Sequence, residues 1–317
     1  MSSDTSVLRR RRFDAVSYLK LFRFPLVFTA IADSAAGYLI ASPVVHPGAM
    51  ILVALCSSGL YLFGMALNDI VDRERDRAIA PNRMLPSGRL TVKSAKIAAF
   101  AALGCSLIAI LAVPEVPFLQ RIVNWLLVVL CIVAYNKFLK FSPVMGLVRG
   151  FNLLLGVTAG RIVTFDVASQ PWQYAMLVLP AFVYVTALTY VSTLEDATPN
   201  QRKVRVGVGV MCFGALLAAL VGPAIHILVY FEPFWEAALR RPGAILIPIV
   251  LSGALIRLAL QANDEKGVMT LVRDGVAGII LLDAALLASV EDMLSGLMIA
   301  SLLLPAALSV AIFKRLA

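Results

Sequence analysis

Ten apolar stretches of about 18 residues or more follow one another along the chain, at 18–40, 48–67, 92–113, 121–140, 145–165, 173–193, 206–230, 242–261, 269–290 and 293–313. As a helix each is about 30 Å long, the thickness of a bilayer's hydrocarbon core, and a helix satisfies its own backbone hydrogen bonds there. A water-soluble core cannot absorb so much apolar surface in a chain that is 60% hydrophobic and 15% charged, with mean hydropathy +0.88. The expected fold is all-α, a polytopic membrane bundle of nine to ten transmembrane helices, with the final two separated only by Glu291-Asp292. No linker or low-complexity tract interrupts it, which predicts one domain over 1–317, opening with a basic segment at 1–17.

The net charge of +9 invites a nucleic-acid partner, but the basic residues follow topology rather than forming a groove-binding patch. Arg9 to Arg12, the Arg73 to Lys96 loop, Lys137, Lys140, Arg202-Lys203-Arg205, Lys266 and Lys314-Arg315 fall on one side if every stretch crosses. The loops around His46, Glu115, Asp166 and Glu232 are poor in them except for Arg121 and Arg240-Arg241, so the positive-inside rule places both termini and the acidic residues near 69–76 in the cytoplasm. Cys56, Cys105, Cys131 and Cys212 lie within apolar stretches without metal-knuckle spacing and read as small buried hydrophobes.

At the end of the second stretch stand Asn68-Asp69-Ile70-Val71-Asp72-Arg73-Glu74-Arg75-Asp76, and then a basic loop with Arg83 and Leu85-Pro86-Ser87-Gly88. At about 100° per residue Asp69, Asp72 and Asp76 share one helical face. Converging carboxylates suit a hard cation such as Mg²⁺, and Mg²⁺ usually accompanies a phosphate. The plainer alternative is a solvated helix end in which Asp69 pairs with Arg73. The 78–91 loop, with Pro81, Pro86 and Gly88, cannot form one straight helix and is expected to fold as a cap.

The pattern Asn68-Asp69-x-x-Asp72-x-x-x-Asp76, followed by Asn82-Arg83-Met84-Leu85-Pro86-Ser87-Gly88, resembles the signature of the UbiA superfamily of intramembrane prenyltransferases, with Met84 where many members have proline. Arg23-Phe24-Pro25 through Ala36-Gly37-Tyr38-Leu39, and Met145 to Gly156, resemble the branch encoded in bacterial ebo clusters. The resemblance implies transfer of an isoprenyl group from an allylic polyprenyl diphosphate to an acceptor, in a bacterial inner membrane, with the site facing the cytoplasm. In the ebo-type branch the acceptor would be a small polar metabolite. Asp69, Asp72 and Asp76 would then be catalytic and hold Mg²⁺, with Asn68 beside them and Arg83 on the diphosphate. Lys137 would be a further diphosphate partner. The loop Thr189 to Asp196 would supply a second site through Glu195 and Asp196, of which Asp196 is the expected metal ligand; it is thinner than the family's aspartate pattern.

Arg149 and Asn152, at i and i+3 within an apolar stretch, are expected to face the bundle interior, in the substrate cavity or in helix–helix hydrogen bonds. Asp33 and Asp283 are intramembrane acids suited to a polar acceptor or to a neighbouring helix. Gly156, Gly160, Gly207 and Gly209 allow close backbone approach, and gaps between helices would admit a polyisoprenoid tail from membrane lipid. Two rival readings remain: a cation-coupled secondary transporter using Asp33, Arg149 and Asp283, and a degenerate family member kept for lipid binding.

Overall fold

The computed structural model describes residues 15–42, 44–114, 117–160, 171–195, 200–231 and 233–315. Their helices are α1 (Ala15–Leu21), α2 (Val27–Ala41), α3 (Pro47–Val71), α4 (Arg73–Ile79), α5 (Val92–Leu111), α6 (Phe118–Ala134) and α7 (Ser142–Ala159). They continue with α8 (Pro171–Ser192), α9 (Gln201–Tyr230), α10 (Phe234–Leu239), α11 (Pro242–Gln261), α12 (Glu265–Val290), α13 (Met293–Ala300) and α14 (Leu303–Arg315). Among the described residues nine helical segments are long and apolar enough to cross a bilayer. α12 is not one of the nine, because Arg273, Asp274 and Asp283 interrupt its apolar run, yet at 26 residues it is as long as any bilayer requires.

The boundaries follow local chemistry. The expected first span divides at Arg23, whose φ of 46° ends α1, and a short 3₁₀ turn at Phe24–Leu26 carries Pro25 into α2. Pro47 stands at the start of α3, where its missing N–H costs nothing. Thr91, Asn200, Asp264 and Asp292 cap α5, α9, α12 and α13 by accepting from the backbone N–H three residues on. The expected tenth span, Met293–Phe313, is one of the nine and carries a short turn between α13 and α14.

α2 and α7 form the wall between two apolar clusters. One gathers α3, α5 and α6 with Met84, Leu85 and Leu90 of the loop, so that loop does fold down as a cap. The other gathers α8, α9, α11 and α12. The wall is thin: a Cβ on Gly37 would overlap the Leu153 carbonyl oxygen, and one on Gly156 the Ser34 carbonyl oxygen. Gly160 meets the Tyr38 carbonyl in the same way, and Gly207 the Val191 side chain. Gly209 departs from expectation, with nothing within 4 Å of where its Cβ would stand, because it lies on the exposed face of α9. Cys105 is likewise exposed rather than buried, while Cys56 is buried. α13 packs on α12, and α14 rests on the Phe24–Leu26 turn and on α2.

Candidate active site

The end of α3 does not run straight through the acidic motif. Asp72 takes ψ near 0°, which closes α3 and opens α4 at a bend, while Asp72 N–H still bonds Asn68 O and Asp76 N–H bonds Asp72 O. Asp69 and Asp76 are buried and near enough for their charges to repel. Asp69 receives Arg23 Nη2 at 3.3 Å, and Asp76 receives Arg83 Nη1 at 2.6 Å. Arg83 also acts on Asp69, and the Asn68 side chain hydrogen-bonds it. Asp72 turns instead to Lys140.

Arg23 is held by its own local geometry. Its left-handed backbone turns the chain between α1 and the 3₁₀ turn, and Tyr61 Oη donates to its carbonyl at 3.2 Å. Lys140 is brought to Asp72 by a π-turn at Tyr135–Leu139, which adds a residue to the helical turn after α6. Lys137, the expected diphosphate partner, is exposed and lies off Asp72. Glu74 is exposed between Arg73 and Arg77; the Arg73 hydrogen bond, with both cations, holds its carboxyl below the usual range.

The other expected groups sit elsewhere. Arg149 Nη2 donates to Thr29 O at 2.7 Å, and its guanidinium lies 3.0 Å from Asp33. Asn152 Nδ2 donates to Ala30 O at 3.0 Å and to Asp33 Oδ2 at 2.9 Å. Ser57 also donates to Ala30 O, which fixes the depth of this node. Ser57 precedes Asp69 by twelve residues of α3, so the node lies about 18 Å below the acidic motif. Arg149 and Asn152 thus join α7 to α2 through Thr29, Ala30 and Asp33. Glu195 is half-buried in the turn after α8, and Asp196 lies outside the described residues.

No group of three or more His, Cys, Asp or Glu side chains among the described residues could hold a metal by itself. Mg²⁺ does not need such a cage, since it is usually held by one or two carboxylates and completed by water and substrate phosphates. Asp69 and Asp76, with the Asn68 amide beside them, provide hard oxygen donors of that kind. Arg23 and Arg83 add fixed positive charge suited to phosphate oxygens.

A sequence profile of the UbiA prenyltransferase family matches residues 30–269, which include the whole acidic motif, Arg83 and the 84–90 cap. The chain belongs to the UbiA prenyltransferase family. It is an integral membrane enzyme of prenyl-transferring type. A digeranylgeranylglyceryl phosphate synthase of Sulfurisphaera tokodaii is 25% identical over 237 residues, which cover 69% of this chain and 80% of that protein. A solved digeranylgeranylglyceryl phosphate synthase superposes with a TM-score of 0.57 at 20% identity, over 87% of this chain and 98% of that one. A UbiA homologue from Archaeoglobus fulgidus, solved with GPP and Mg²⁺, gives a TM-score of 0.55 at 14% identity, over 90% and 99% of the two chains. At such identities the structural likeness is one of fold. Arg23 lies ahead of the matched region, and α13 and α14 lie beyond it.

Proposed function

We propose that this UbiA-family enzyme moves an isoprenyl group from an allylic polyprenyl diphosphate to an acceptor hydroxyl or similar nucleophile, as one membrane domain over 1–317 whose site opens to the cytoplasm. The observation that carries the reading is the pairing of two buried acids, Asp69 and Asp76, with two cations from outside their helices, Arg23 and the cap loop's Arg83. Breaking an allylic carbon–oxygen bond leaves a carbocation and a diphosphate, so the site must gather positive charge at the leaving group and keep water from the cation. Mg²⁺, when bound, supplies charge neutralisation on the diphosphate. Asp69 and Asp76 would hold it, with Asn68 orienting Asp69. Arg23 and Arg83, released from their carboxylate partners, would bind the diphosphate oxygens, and Lys140 would stand behind Asp72. The buried Met84 and Leu85 of the cap would exclude water from above.

The Mg²⁺ and GPP of the Archaeoglobus structure support the donor class and the metal, and the synthases point to a glyceryl phosphate lipid as one acceptor. The test is to incubate the purified protein with Mg²⁺ and allylic diphosphates of graded length. Geranylgeranylglyceryl phosphate and an extract of small polar metabolites are offered as separate acceptors. Acceptor-dependent diphosphate release, with the added isoprenyl mass on one acceptor, supports the proposal. Substrates recovered unaltered after prolonged incubation of stable protein would refute it.

A further inference from the structure

Below the acidic motif, three helices meet at a cluster of charges that the proposed reaction does not use. Asp33 of α2 and Asp283 of α12 are 0% and 1% exposed, Arg149 of α7 is 7% exposed, and Asn152 of α7 is 4% exposed. Asp33 Oδ2 is engaged by Asn152 and faces Arg149. Its carboxyl also lies within hydrogen-bonding reach of the Asp283 carboxyl. Four buried oxygens here, Asp33 Oδ1, Asn152 Oδ1 and both of Asp283, have no donor. Acceptors therefore outnumber donors, and two ionised carboxyls beside one guanidinium leave the node one positive charge short. A buried charge without a partner costs several kcal/mol, and two carboxylates sharing a site cannot both ionise.

We propose that Asp33 and Asp283 form a proton-binding site, with one proton held between their carboxyls as the bond that ties α12 to α2 and α7. The proton makes the node neutral and turns a repelling pair into a donor and an acceptor. Among the described residues Arg149 is the one cation acting on both carboxyls. Tyr61 of α3 faces Arg23 and Arg149, and Tyr184 of α8 gives its hydroxyl to Gly275 O, about two turns before Asp283. This inference is independent of the acceptor and donor proposed above.

Infrared spectroscopy of the detergent-purified protein at neutral pH tests it directly. A carbonyl stretch of a protonated carboxylic acid, shifted in D₂O and lost in Asp283→Asn, is expected. Raising the pH should lower the parent's thermal midpoint by several degrees as the proton is stripped, while Asp283→Asn, whose amide donates to Asp33 in the proton's place, stays flat. The sign follows from linkage: a proton bound in the fold and absent from the unfolded chain stabilises, and its loss at alkaline pH removes that stabilisation. Absence of the carboxylic acid band in the parent, which needs no variant to fold, overturns the proposal. So does an equal alkaline decline in Asp283→Asn, or stabilisation of the parent by Na⁺ at constant ionic strength, which would make the missing charge a metal ion.

Discussion

The guanidinium of Arg83 stands 2.6 Å from the carboxylate of Asp76, and it remains 38% exposed while the carboxylate is 3% exposed. The cap loop thus delivers a cation to a buried acid at the membrane surface, with part of the cation still open to a ligand. Arg83→Gln keeps hydrogen-bonding capacity and removes the charge. Hydrogen bonds to charged groups are worth about 1.5–3 kcal/mol, so donor binding at fixed Mg²⁺ should weaken by roughly 10- to 100-fold. Donor affinity equal to that of the parent would leave Arg83 as a topological charge.

Activity should vanish in chelator and return with Mg²⁺, because without the ion Asp69 and Asp76 repel the donor's diphosphate. The check is turnover against free Mg²⁺, and full turnover in chelator would remove the metal from the reaction. Asp69→Asn should raise the Mg²⁺ needed for half activity, since an amide keeps the shape and loses most of the attraction.

Asp72→Ala should cost more activity than Glu74→Ala. Asp72 is half-buried and holds Lys140, whereas Glu74 is exposed between Arg73 and Arg77, where surface pairs are worth little. Initial rates of both variants, in protein of matched thermal stability, compare them; equal losses would contradict the assignment.

Gly156→Leu should lower the thermal midpoint and the yield of folded protein, since its side chain would meet the Ser34 backbone, which cannot swing aside. Overpacking costs about 1–3 kcal/mol or more. Gly209→Leu, on an open face, should leave the midpoint within a degree or so. Similar midpoints for the two would mean that α2 and α7 stand farther apart.

Cysteines introduced at Ser87 and Asn200 should label from the cytoplasmic side, and those at Pro117 and Arg240 from the other, as the loop asymmetry in Lys and Arg requires. Reversed labelling would invert the proposed orientation and move the Asp69 site to the opposite membrane face.

The helical bundle and the acidic motif were legible because both are local signals, an apolar run and a short spacing. The cation partners of the three acids were not. They come from Arg83 in the cap loop and from two residues far along the chain, Arg23 and Lys140. Arg23 lies 46 residues before Asp69, and its place ahead of Phe24-Pro25 read only as a family-like pattern. The family resemblance singled out Lys137, while Lys140 read only as an inner-loop charge until a π-turn brought it to Asp72. For Asp33, Arg149, Asn152 and Asp283, the sequence showed that each polar group needed a partner, and only tertiary packing showed that they were one another's.

The seat of α14 on the Phe24–Leu26 turn has a consequence for biogenesis. That turn is made together with α2, whereas α14 follows the other described helices. During insertion the segment that orients Arg23 is therefore made before its contact with α14 can form, and that contact comes from a helix beyond the matched family region.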